Sequence, residues 1–144
     1  MKIMVMSRDG SKQTSVPDDW TDAIIRLLIK QFRTPVERLA DVELFIQIRP
    51  LLSSGCFAIT ANVKNYLILI SDSLDDVEFN ITLIHELKHL SWFLIHPYIM
   101  REGNLTGNMF HPKFKGAFRR SENAAIRAEK KLGHLRLINL GQLR

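Results

Sequence analysis

Residues 81–90 read ITLIHELKHL. Two histidines stand four apart with a glutamate directly after the first, and Ile84, Leu87 and Leu90 supply apolar positions at three-residue intervals, so the stretch reads as a helix fixed against a core. On a helix, positions i and i+4 lie one turn apart on the same side, which lets His85 and His89 turn their imidazole nitrogens toward one point. SDSLDD precedes the stretch, and Asp75 or Asp76 there can cap a helix that runs through HELKH toward Phe93. Pro97 must lie at or beyond its end.

Upstream the apolar period falls to two. VELFIQIRP alternates Val42, Leu44, Ile46 and Ile48 until Pro50 stops the run, which favours a strand. FAITANV and YLILI follow as two more β-rich segments, separated by Lys64 and Asn65 in a plausible hairpin. Nearer the N-terminus, VPDDW opens a helix capped by Asp18 or Asp19, with Trp20, Ala23, Ile24, Leu27, Leu28 and Phe32 at helical spacing and an end near Thr34, before Pro35. Downstream, REGNLTGN reads as a loop, and a last helix starts around Pro112 with Phe114, Ala117, Phe118, Glu122, Ala125 and Leu132 near one face. The order predicts an α+β fold: a small mixed or antiparallel sheet of about three strands, covered by an N-terminal helix, the HELKH helix and a basic C-terminal helix.

Composition sets the frame. A chain of 144 residues with 46% hydrophobic and 24% charged residues suits a single domain, residues 1–144, with one core. Cys56 is the sole cysteine, which excludes an internal disulfide and any zinc site built on several thiolates. The apolar run in MKIMVMSRDG is far shorter than a signal-peptide core, and Tyr66 to Ile70 cannot span a bilayer, so a cytoplasmic protein with no membrane partner is expected. The net charge of +5 is uneven, because residues 101–144 carry +7 and residues 1–100 carry −2. Lys113, Lys115, Arg119, Arg120, Arg127, Lys130 and Lys131 could therefore meet nucleic acid or an acidic protein, although a solvated helix face is the commoner reason for such a run.

HELKH fits a zinc site chemically. His85 and His89 can bind one ion, and Glu86 can hold a water whose pKa the ion lowers and take its proton. Lys88 is an unusual charge within such a helix. A catalytic zinc also needs a third protein ligand, and two residues qualify: Glu122 in RRSENAAIRAEKKLG, on the apolar side of the last helix, and His111 in FHPKFKGAF, just ahead of it. Were Glu122 the ligand, His111 could donate to a tetrahedral intermediate, with Tyr98 a second candidate for that role. His96 and His134 read as structural, Trp20 and Trp92 as core anchors, and Cys56 has no partner to activate it.

TLIHELKHL resembles the active-site helix of zincin metallopeptidases, and RRSENAA is similar to the Glu-x-x-Ala segment of the gluzincin type, including ImmA/IrrE-like proteins. That resemblance implies Glu122 as third zinc ligand and Ala125 as the small residue beside it, while Ile126 stands where those families carry Asp or Asn in support of a zinc histidine. HPKFK is also similar to the His-Gly-x-x-Phe context of SprT-like zincins, which implies His111 instead. The expectation is a zinc-dependent metallopeptidase that hydrolyses a protein or peptide substrate with Glu86 as general base. The competing expectation is a catalytically weak or inactive zincin-like protein that binds nucleic acid or an acidic protein through its basic C-terminal helix.

Overall fold

The computed structural model describes residues 1–60, 62, 64–97 and 112–142. Strand β1 (Lys2–Met6) and strand β2 (Gln13–Ser15) precede helix α1 (Asp18–Arg26), which continues through a π-helical turn at Leu27–Gln31. A short helix α2 (Val36–Leu39) leads into β3 (Glu43–Arg49), β4 (Gly55–Ile59) and β5 (Asn65–Ser71). Helices α3 (Asp76–Ile95) and α4 (Pro112–Leu132) complete the α+β arrangement, with a 3-10 turn at Leu140–Gln142.

The sheet is mixed and has five strands in the order β2-β1-β3-β5-β4, not about three. The extra pair is β1 and β2. Lys2–Met6 has one buried residue and Gln13–Ser15 none, so neither carries the density of buried residues that marks β3 and β5. β1, β3 and β5 run parallel, while β2 and β4 pair antiparallel at the two edges. The β4–β5 hairpin expected from FAITANV and YLILI is present, with Phe57 opposite Ile68.

Alternation decides which sheet face carries the core. Leu44, Ile46, Tyr66, Ile68 and Ile70 point to one side and are buried with Trp20, Ile24, Leu27 and Leu28 of the first helix and Phe79, Leu83, Ile84, Leu87, Leu90 and Phe93 of α3. Helix α3 is buried on most of its circumference because the sheet lies on one side and α4 packs along another. Asp75 is its N-cap, and the Asp75 carboxylate accepts from the Glu78 N–H at 2.8 Å. Asp18 and Asp19 sit in the first turn of α1 and do not cap it; Pro17 occupies the N-cap position. The first helix stops at Phe32, where Arg33 takes φ +58°, before Thr34 and Pro35.

Helix α4 approaches α3 through small side chains. Ala117, Ser121, Ala124, Ala125 and Ala128 are all buried on its inner face, with Phe114 and Leu132 at either end. The chain after α4 is held by Asn80, which is fully buried. Its amide donates to the carbonyls of Asp76 and Ile138, and its Oδ1 accepts from the N–H groups of Leu137 and Ile138. No described helix is long and apolar enough to cross a membrane.

Candidate metal centre

The interface of α3 and α4 assembles the site. His85 and His89 project from consecutive turns of α3, and α4 runs antiparallel beside them, so that Glu129 meets His85 while Ser121 and Glu122 meet His89. The Nε2 atoms of the two histidines are 3.2 Å apart. Glu122 spans both, with Oε2 2.8 Å from His89 Nε2 and Oε1 3.4 Å from His85 Nε2. One ligand atom from each of the three residues therefore falls within 4.8 Å of the others.

What stands behind the histidines fixes their donor atoms. Glu129 is an acceptor, so His85 donates Nδ1–H to it and turns a bare Nε2 lone pair toward Glu122 and His89. His89 Nδ1 lies 2.7 Å from the buried Ser121 hydroxyl. Two imidazole nitrogens and a carboxylate facing one another repel unless a proton or a cation lies between them. The donor set suits zinc: bonds of about 2.0–2.1 Å at tetrahedral angles place two ligand nitrogens roughly 3.3 Å apart, close to the 3.2 Å found here.

Glu86 faces a cleft of about 300 Å³ lined by Gly55, Thr82, His85, Glu129 and neighbouring side chains. Its Oε1 is 4.0 Å from His85 Nε2. Burial raises its pKa to about 7, with His85 opposing and Glu122 and Glu129 adding to the rise. Burial, then His85, holds His89 below its ordinary value against the pull of Glu122. A cation among these groups would favour the ionised carboxylate again. The wall opposite Glu86 is the start of edge strand β4. A Cβ on Gly55 would lie 2.6 Å from Thr82 Cγ2 and 3.5 Å from Glu86 Cγ, so only glycine lets the strand pass this close to the helix.

His85, Glu86, His89 and Glu122 thus come together as the sequence suggested, but not for every reason given. The side chain of Glu122 is 52% exposed, at the border of the apolar face, so burial does not account for it; its two contacts with the histidines do. Ile126 offers no support to a histidine and is 37% exposed. Support comes from Glu129, seven residues after Glu122 and so two turns along the same side of α4, a spacing that could have been read directly. Ser121 and Gly55 were also missed. Lys88 is accommodated elsewhere, with its ammonium 4.7 Å from the centre of the Phe32 ring.

His111 and Tyr98 lie outside the described residues. His96 follows the last turn of α3 against the Trp92 ring, and His134 is exposed beyond α4, both apart from the histidine cluster. Cys56 is exposed on β4, and partial desolvation, then Glu86, hold its thiol above the ordinary value. Lys115, Arg119, Arg120, Arg127, Lys130 and Lys131 are exposed along α4, and none forms an ion pair among the described residues; the Lys113 side chain lies outside the described part of the structure. Compared with protein-family models, curated proteins and solved structures, the chain matches none.

Proposed function

We propose that this protein is a zinc-dependent metallopeptidase of the HExxH type, with His85, His89 and Glu122 as metal ligands and Glu86 as general base. The observation that carries the reading is the convergence of two Nε2 atoms and a carboxylate beside the cleft that holds Glu86. Zinc held by these three would lower the pKa of an incoming water to about 7 and polarise a substrate carbonyl. Glu86 would take the proton of such a water and pass it to the leaving amine, from its place beside His85 on the wall of the cleft. Glu129 keeps His85 in the tautomer that presents Nε2, and Ser121 orients His89. An extended peptide pairs with the outer edge of β4, the strand whose first residue, Gly55, lines the cleft; YLILI lies in β5, inside the sheet, and offers no edge.

Metal analysis of purified protein after zinc supplementation tests the reading, with His85→Ala and Glu86→Gln alongside. Wild type and Glu86→Gln should hold about one zinc, and Glu86→Gln should cleave a quenched-fluorescent peptide library roughly 10²- to 10⁴-fold more slowly. A wild type that takes up no zinc refutes the proposal. Retained hydrolysis in Glu86→Gln removes that residue from the base role. Glu122→Ala should lose zinc while His111→Ala keeps it; the reverse result would make His111 the third ligand.

The exposed cations of α4 favour a second reading, a binding protein that holds nucleic acid by its phosphates. Association with a mixed-sequence DNA duplex should then weaken steeply as salt rises, and no association at low salt excludes it.

A further inference from the structure

On the opposite flank of α4 from Glu122 and Glu129, a second cleft of about 320 Å³ opens between α3, α4 and the π-helical turn. Lys88, Arg127 and Lys131 line it, with Gln31, Phe32 and Trp92 among its walls, and among the described residues no carboxylate does. None of the three cations forms an ion pair among the described residues. Arg127 and Lys131 are one turn apart on α4, a spacing at which like charges disfavour each other. Trp92 carries an indole N–H that is shielded from water and has no hydrogen-bond partner among the described residues.

We propose that this cleft binds a small organic phosphate, a phosphate monoester carried on an apolar or aromatic body. Charge selects the head group: a phosphate monoester carries about −1.5 to −2 at pH 7 and three acceptor oxygens, against three cationic side chains around one opening. A carboxylate brings only about −1, half to two thirds of that charge, and fewer acceptors. Arg127 can engage two phosphate oxygens at once, and Lys88 and Lys131 supply point charges from the two helices. The Phe32 and Trp92 rings offer an apolar wall, and the volume lies at the lower end of small-molecule sites. The same ligand ties α3 to α4 across the seam that also forms the histidine cluster. The proposal does not depend on zinc or on hydrolysis.

The test is calorimetric titration of the full chain with phenyl phosphate, and with benzoate and phenol as comparisons. Phenyl phosphate should saturate one site, with benzoate weaker by about fivefold or more and phenol undetectable. Arg127→Gln with Lys131→Gln should lose about tenfold or more, while Arg119→Gln with Lys130→Gln, the same change in net charge outside the cleft, should change affinity by less than about twofold. His85→Ala should bind phenyl phosphate as wild type does. Equal losses in the two charge pairs would assign the effect to the general field of α4 and overturn the proposal. So would phenol binding as tightly as phenyl phosphate, loss of binding in His85→Ala, or no saturation at millimolar phenyl phosphate.

Discussion

Replacing Glu129 with alanine removes the carboxylate to which His85 donates Nδ1–H, and leaves every proposed zinc ligand in place. The carboxylate does two things: it commits the imidazole proton to Nδ1, and it raises the basicity of Nε2. Loss of such a partner costs metal affinity by about 10- to 100-fold, or roughly 1.4–2.7 kcal/mol. The Glu129 side chain is 33% exposed and water can partly replace it, which places the expected loss toward the lower half, about 10- to 30-fold. Glu129→Gln keeps an acceptor but not its charge and should lose less, about 3- to 10-fold. Glu122→Ala, which removes a ligand atom, should lose more than about 100-fold. Competition with a chromophoric zinc chelator at pH 7.5 measures all three, and thermal melting of the metal-free proteins checks the fold. A Glu129→Ala protein within about twofold of wild-type zinc affinity would refute the supporting role. So would an affinity loss matched by an equal destabilisation of the metal-free protein, because Glu129 would then serve the fold.

In metal-free protein the raised pKa of Glu86, about 7 against 4.5, means the folded state binds more protons than the unfolded state between those values. Its contribution is therefore full below pH 4.5, falls as pH rises and is gone above about 7. The stability difference between wild type and Glu86→Gln, from urea unfolding with a chelator present, should change by up to about 3 kcal/mol across that window, and a flat difference contradicts the burial argument. Gly55→Ala should cost about 1–3 kcal/mol, because the new methyl meets Thr82 Cγ2 at 2.6 Å and the Leu69 carbonyl at 3.0 Å. Adding Thr82→Ser removes the first clash and should recover part of the melting temperature; no recovery would place the strain elsewhere. Asn80→Ala leaves the Leu137 and Ile138 N–H groups and the Ile138 carbonyl without their partner and should cost about 3–4 kcal/mol in urea unfolding; a loss below about 1 kcal/mol would show that the tail after α4 is not held there.

Particular residues show where sequence was sufficient. In β3 the alternation of Leu44, Ile46 and Ile48, and in β5 the apolar run Tyr66–Ile70, are strong because these central strands are buried against helices, and burial also produced the apolar spacing in α3. β1 and β2 carried no such signal, because edge and near-edge strands owe their place to main-chain pairing, which any sequence can supply. Within the site, the i, i+4 geometry of one helix placed His85 beside His89 before any fold was known. For Glu122 the helical spacing implies an apolar setting that half of its side chain does not have.

By itself, then, the sequence determined the local periods, a cap at Asp75 or Asp76 and the facing histidines, all set by contacts within a few residues along the chain. Only tertiary structure decided the antiparallel pairing of α3 with α4, and with it Glu129 behind His85, Ser121 behind His89 and Gly55 across from Glu86. Those partners are 44, 32 and 31 residues away along the chain, and no local rule connects them. Their meeting follows from close packing of small side chains between two helices and from an edge strand whose glycine lets it lie against α3.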